Sequence, residues 1–195
     1  FTSSKLMSKL YQFAPARKLF NRLAGKKLME TFGGELKFFG IGGSKLDGTV
    51  EQFLREAKFP YAIGYGLTET APMAAGSNPS QTFLQGVGPV MEGVQIKIND
   101  PDKSGQGEIW IKGPNVMIGY YKDEEKTKEV IDENGFFHTG DKGCFDEDGL
   151  LKITGRIKEI FKTSMGKYVS PVLIENKIKE SPFVGELLVI GEGQK

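Results

Sequence analysis

The sequence predicts a mixed α/β protein: part of a helix-covered sheet, then a β-rich, barrel-like subdomain, then the start of a small α+β domain. Three observations carry that expectation. Residues 36–66 alternate an apolar run, an amphipathic stretch and a second apolar run, the strand–helix–strand order of a parallel sheet. After residue 83 the chain breaks into short alternating or β-branched segments separated by Gly, Pro, Asn and Asp. Beyond residue 156 a lysine-rich two-stranded pattern leads into one helix and a last apolar run. The expected boundaries are 1–80, 81–157 and 158–195.

Residues 4–32 read as helix, with Leu6, Leu10, Phe13, Leu19, Phe20, Leu23, Leu28, Met29 and Phe32 recurring at three- and four-residue steps and breaks expected at Pro15 and Gly25. "LKFFGIGG" reads as a buried strand ending in a glycine turn. "DGTVEQFLREAKF" reads as a helix with Val50, Phe53, Leu54 and Ala57 on its apolar side, and "YAIGYG" as a second strand. The β-rich part is expected to use "GVGPV", "VQIKIND", "GEIWIKG" and "GYYKD", with a short helix at "DEEKTKEVID". "GCFDEDGLLKITG" is a hairpin signal, because Asp-Gly supplies the positive φ that joins twisted strands. "KEIFKTSMGKYVS" follows as a second two-stranded element. A helix, "PVLIENKIKE", comes next with Pro171 in its first turn, and "ELLVIG" is the last expected strand.

Composition narrows the chemistry. With 195 residues the chain is long enough for a real core, and a net charge of +1 supplies no whole-chain field for nucleic acid. No apolar run approaches the length of a membrane span. One cysteine, Cys144, and one histidine, His138, exclude an internal disulfide, Cys/His zinc sites and most nucleophile–histidine pairs. The lone thiol suits a reducing compartment, so the expected location is cytoplasmic. Residues 1–29 hold seven basic side chains and no acidic one. Such a surface can touch anionic lipid peripherally, at an inner membrane face, though a solvated face on a packed helix pair is the simpler account. Both ends read as cut.

Chemistry is concentrated in three stretches. In "IGYGLTETAP" a strand meets a loop where open α/β sheets bind ligands. Gly66 allows close backbone approach, Thr68 can donate to a phosphate, Glu69 offers a hard oxygen to Mg²⁺, and Tyr65 offers a flat face to a base. Taken alone, Thr68 as a helix cap and Glu69 as a solvated acid explain the stretch better. In "GFFHTGDKG", Asp141 follows Gly140 in an expected tight turn and could accept both hydroxyls of a ribose, or be an ordinary Asx turn. In "TGRIKEIFKTSMGKYVSP", Arg156 could join Asp141 at the same sugar, while Lys158, Lys162, Gly166 and Lys167 form a basic neighbour or a solvated hairpin. "GIGGS" lacks the dinucleotide spacing, and no G-x-x-x-x-G-K-[ST] loop occurs.

In this order and spacing, "GIGGS", "YGLTETAP", "GEIWIKGPNVMIGYY", "FHTGD" and "ITGRIKEIFKTSMGKYVSP" closely resemble the adenylate-forming superfamily, over residues 36–190. The wording of the motifs looks most like bacterial long-chain fatty-acid CoA ligases. The resemblance implies that Gly42, Gly43 and Ser44 line the adenine and acyl pocket and that Tyr65 and Gly66 sit against adenine. It implies Thr68 and Glu69 as the catalytic phosphate and Mg²⁺ ligands, and Asp141 and Arg156 as the ribose site. Lys158 matches the hinge between a large and a small domain, and Lys162 and Gly166 a hairpin facing the pantetheine channel. Trp110 and Glu108 are expected to be structural, with Trp110 packing in the barrel.

The implied reaction activates a long-chain fatty acid with ATP and Mg²⁺ as acyl-AMP, then transfers it to CoA. Nothing in residues 1–39 matches the family's Ser/Thr/Gly-rich phosphate loop, and the family's late catalytic lysine falls beyond "IGEGQK". A fragment inactive on its own is therefore expected. Two rivals stand beside this reading: an adenylating enzyme for another acid or a carrier-protein thiol, and a non-catalytic nucleotide- or lipid-surface-binding module.

Overall fold

The computed structural model describes residues 5–157, 161–162, 168–169, 171–179, 181 and 183–191. Helices α1 (Lys5–Gln12) and α2 (Ala14–Thr31) precede strand β1 (Phe39–Ile41), helix α3 (Gly48–Glu56) and strand β2 (Tyr61–Tyr65). β1 and β2 pair in parallel, Phe39 opposite Tyr61, so α3 is the crossover that the strand–helix–strand pattern predicts. Asp47 caps α3, its carboxylate accepting from the amides of Thr49 and Val50. A short strand β3 (Ala75–Gly76) returns antiparallel to β2.

The second sheet is a four-stranded antiparallel meander, β4 (Gln95–Asn99), β5 (Gly107–Lys112), β6 (Phe137–Phe145) and β7 (Leu151–Arg156), in sequence order. It is open: the barrel-like expectation gives way to a sheet whose outer strands β4 and β7 ladder with β5 and β6 and do not pair with each other. Helix α4 (Glu124–Val130), capped by Asp123, lies between β5 and β6. The β6–β7 connection spans Asp146–Leu150, longer than a two-residue turn. Asp146 Oδ1 accepts from the amides of Asp148 and Leu150, while Gly149, at φ +75°, takes the left-handed residue that Asp-Gly signalled. Strands β8 (Phe161–Lys162) and β9 (Tyr168–Val169) pair antiparallel, and α5 (Pro171–Lys179) follows.

One apolar cluster serves both larger sheets. Ala74 and Ala75 from the β3 side pack with Val87 and with Ile109, Ile111 and Leu151 from the meander, all buried. Single bridges, Ala75 with Val90 and Gly88 with Leu151, stitch the same seam. A second cluster, Leu54, Phe59 and Tyr61, holds α3 against the parallel pair, with Phe39 and Phe59 edge to face.

Several expectations need correction. The helical break falls at Phe13, whose extended backbone precedes Ala14, and α2 runs unbroken through Gly25. Gly25 is there for contact: a Cβ would sit 2.6 Å from that of Ala57. α2 also turns polar and small residues inward. Asn21 and Gly25 are buried while Leu19 and Leu23 are more than half exposed, because Arg17 and Asn21 both bind Glu56 on α3. On α3 Val50 is exposed and the fully buried partner of Leu54 is Glu51. "GVGPV" and "GYYKD" form isolated bridges rather than strands, and "ELLVIG" is not a strand, with Leu188 and Ile190 about three-quarters exposed. Trp110 stacks on His138 across the β5–β6 pair at 3.7 Å, with the Lys97 ammonium 4.3 Å from its ring, and so lies on the sheet face rather than inside a barrel.

Candidate functional site

β2 ends at Tyr65, and Gly66 leads into a single 3₁₀ turn, Thr68–Thr70. The capping expected of Thr68 is done by Thr70, which is fully buried. Its hydroxyl accepts from the Leu67 amide at 2.9 Å and lies 3.0 Å from the Pro72 carbonyl. Thr68 is thereby left exposed, its hydroxyl available to a ligand. Gly66 passes so close beneath the returning chain that a Cβ would fall inside the Pro72 carbonyl, so only glycine fits. Asn115 ties the turn to the meander, its amide donating to the carbonyls of Thr70 and Met73.

Glu69 is held at two points. Its carbonyl accepts from the Met117 amide at 2.8 Å, and its Oε1 accepts from the Tyr120 hydroxyl at 2.8 Å. Burial and the Glu69 hydrogen bond push the Tyr120 phenol up, so it remains the donor. Among the described residues no group of three or more His, Cys, Asp or Glu gathers. A single carboxylate, Glu69, beside the exposed Thr68 hydroxyl fits Mg²⁺, which keeps water and phosphate oxygens in most of its shell.

Asp141 lies within β6, not in a turn as its sequence context suggested. Burial alternates along Phe137, Thr139, Asp141 and Gly143, which sends the carboxylate inward. Only 5% of Asp141 is exposed. Its register partner on β7 is Arg156, whose Nε donates to Oδ1 at 2.8 Å, and the Tyr65 hydroxyl donates to Oδ2 at 2.8 Å. The Tyr65 phenol is pushed above its ordinary range, first by burial and then by the Asp141 charge, so it too stays protonated. Thr139 sets the strand: its hydroxyl donates to the Ile109 carbonyl at 2.7 Å and accepts from the Asp141 amide at 3.0 Å. Each Asp141 oxygen retains a second lone pair, enough for a vicinal diol to donate to the same carboxylate.

A cavity of about 410 Å³ opens between the two sheets. Gly43, Ser44, Tyr65, Gly66, Asp141 and Arg156, all expected from the sequence, line it. Gly42 is exposed at the same turn, and Thr68 and Glu69 follow Leu67, which is itself part of the wall. Lys162 lies in β8, while Lys158 and Gly166 fall outside the described residues. A hollow of about 500 Å³ at α2 and the end of α3 contains none of the expected residues. Sequence reasoning missed Tyr120 and Thr139, which act through long-range contacts, and also Glu51 and Gln85 in the cavity wall. Glu51 had one sequence signal, an acidic residue three positions before Leu54 on the buried helix face.

A family model described as "AMP-binding enzyme" matches residues 5–121. "Fatty acyl-CoA synthetase A" of Dictyostelium discoideum is 36% identical over 184 residues, covering 89% of this chain and 28% of its own length. "Long chain acyl-CoA synthetase 6, peroxisomal" of Arabidopsis thaliana is 36% identical over 188 residues, 91% of this chain and 27% of its own. "Long-chain-fatty-acid--CoA ligase 1" of Homo sapiens is 37% identical over 181 residues, 89% and 26% respectively. The chain thus spans between 26% and 28% of these relatives. Among solved structures, the o-succinylbenzoate CoA synthetase of Bacillus subtilis with its acyl-adenylate intermediate superposes with a TM-score of 0.74 at 26% identity, covering 87% of this chain and 37% of that one. The same enzyme with ATP and magnesium ion gives 0.69 at 26% identity, over 83% and 36%. The matched segment, residues 5–121, takes in the glycine turn, Tyr65, Thr68 and Glu69, and on that match the chain belongs to the AMP-binding enzymes.

Proposed function

We propose that this chain is a segment of an ATP-dependent, AMP-forming ligase that activates a long-chain fatty acid as acyl-AMP and passes it to CoA. The observation that carries the reading is the Asp141 carboxylate, buried in a shared cavity and already oriented by Tyr65 and Arg156. A ribose would donate its two hydroxyls to Asp141. The adenine would lie along the Gly42–Ser44 turn and Tyr65, which places the phosphates toward Thr68 and Glu69. Mg²⁺ bound at Glu69 would neutralise phosphate charge. Thr68 donates to a phosphate oxygen, and Tyr120 keeps the Glu69 side chain from swinging away.

The reaction needs placement more than a protein nucleophile. A fatty-acid carboxylate oxygen attacks the α-phosphorus of ATP, the bond to the β-phosphate oxygen breaks, and pyrophosphate leaves. The CoA thiolate then attacks the acyl carbon, and AMP leaves with the electrons of the acyl–oxygen bond. Alignment and preorganised hydrogen bonds suffice for both steps, consistent with a chain holding one His and one Cys. We place residues 1–80 and 81–157 in the large domain and 158–195 at the start of the small one, with Lys158 as hinge and Lys162 and Gly166 toward the CoA side. The segment alone is expected to be inactive.

The test is pyrophosphate release by the full-length protein with palmitate, ATP, Mg²⁺ and CoA. Release driven by an aromatic or amino acid but not by fatty acids of any length would move the assignment to another adenylating enzyme. Silence with every acid, alongside nucleotide binding, would favour a binding module. A second role has its own support: Leu10, Phe13, Leu19 and Leu23 stand exposed beside Lys9, Lys18, Arg22 and Lys26. That mixture suits a peripheral contact with anionic lipid. Salt-insensitive recovery of the full-length protein in the supernatant of anionic vesicles would exclude it. Among the described residues no helix is long and apolar enough to cross a membrane.

A further inference from the structure

The cavity holds a second polar cluster that the reaction as written does not use. Glu51 on α3 is 0% exposed, yet it lines the cavity with Leu46 and Gln85. Its Oε2 accepts twice from one residue, from the Gln85 amide nitrogen at 2.8 Å and from Gln85 Nε2 at 2.8 Å. Its Oε1 accepts from the Tyr61 hydroxyl at 3.2 Å. Gln85 Nε2 also donates to the Leu46 carbonyl at 3.2 Å, and a Cβ at Gly48 would meet the same amide at 3.4 Å.

Gln85 has φ +58°, a left-handed conformation that is disfavoured for a non-glycine residue. A buried carboxylate fastened to both ends of that residue is what holds it there. We propose that Glu51 is a positioning residue: through Gln85 it clamps the wall at residues 85–87 to the wall at Leu46, beyond the Gly42–Ser44 turn assigned to adenine, and so sets the shape of the cavity for the carboxylic-acid substrate. The clamp acts by hydrogen-bond geometry, since one acceptor oxygen takes both Gln85 donors. It rests on the function proposed above, because that function names the acid as the ligand.

Three variants of the full-length protein test this: Glu51→Leu, Glu51→Gln and Gln85→Ala. Leucine fills the space but offers no acceptor. Glutamine can keep its amide oxygen on both Gln85 donors and turn its nitrogen to the Tyr61 oxygen. In pyrophosphate release, Glu51→Leu and Gln85→Ala are expected to raise KM for the acid about tenfold, with KM for ATP and kcat within about twofold, while Glu51→Gln stays near wild type. Hydrogen exchange should show both wall segments, 45–46 and 85–87, losing protection together in the first two variants.

Equal rises in the two KM values, or a fall in kcat alone, would overturn the proposal, as would a Glu51→Gln enzyme as impaired as Glu51→Leu. If Glu51→Leu does not fold, Gln85→Ala decides the same question. A wild type silent with every acid sinks the functional reading and the acid-binding role with it. Exchange confined to 85–87 in an active enzyme sinks the clamp alone.

Discussion

Asp141→Asn separates the shape of the proposed ribose site from its charge. The amide can present its oxygen to Arg156 Nε and its nitrogen to the Tyr65 oxygen, which then becomes an acceptor, so the geometry around a residue only 5% exposed is kept. What is lost is the ionised acceptor for two ribose hydroxyls. A hydrogen bond to a charged group is worth about 1.5–3 kcal/mol against about 0.5–1.5 for a neutral pair, a difference of about 1 kcal/mol per bond. The amide oxygen can still accept one hydroxyl, about 1 kcal/mol more weakly, but the nitrogen offers the other no acceptor, a loss of about 2 kcal/mol. Together these make about 3 kcal/mol, or about a hundredfold rise in KM for ATP, with KM for the acid little changed. Steady-state pyrophosphate release by the full-length enzyme, with each substrate varied in turn, measures both. A change in KM for ATP below about threefold in a folded variant would refute Asp141 as the ribose ligand.

Glu69→Gln keeps the acceptor that Tyr120 needs but removes the charge. It should lower kcat for adenylation and shift the Mg²⁺ dependence to higher concentration, and an unchanged metal titration curve would exclude Glu69 as the metal-binding carboxylate. Ile109→Ala, at a fully buried position in the core shared by both sheets, should cost about 2–5 kcal/mol, read as a lower denaturant midpoint. Glu56 accepts from Arg17, Gln52 and Asn21, and the Arg17 hydrogen bond leads in lowering its pKa from 4.5 to about 2. A depressed folded pKa means that this contribution to stability is complete above pH 4.5 and is lost as pH falls through about 2. Arg17→Met should flatten the stability–pH curve across that window, and a curve of unchanged steepness would show that the pair contributes nothing.

The local grammar of the chain was legible because it is local. The helix at α3, the break near Pro15 before α2 and Gly149 in the β6–β7 loop each follow from a few adjacent residues, whereas β6, running straight through Gly140 and Asp141, does not. The failures have one cause, tertiary contact overriding pattern. Leu19 and Leu23 read as core by spacing, yet α2 docks through Arg17 and Asn21 on Glu56 and through Gly25 on Ala57. "ELLVIG" has strand composition, but Leu188 and Ile190 stand exposed and unpaired in any sheet among the described residues. β-propensity describes fitness for a half-buried surface, and among the described residues no sheet takes up this stretch.

The site shows why its separate motifs were ambiguous when read singly. "GYGLTET" supplies a tyrosine, an exposed threonine and a carboxylate, and on its own it is a well-made turn stabilised by Thr70. "FHTGD" supplies a buried acid that nothing within β6 itself balances; its donors come from Tyr65, 76 residues earlier, and Arg156, 15 residues later. Burying a carboxylate is costly unless donors surround it, so the sheet-to-sheet arrangement is what makes Asp141 tolerable, and the same arrangement is what aims it at the cavity. Stability and ligand geometry are here one constraint. A substitution that removes the Tyr65 hydroxyl should therefore weaken the seam between the sheets and the nucleotide affinity together, whereas one at Thr68, exposed and outside that network, should touch only the second.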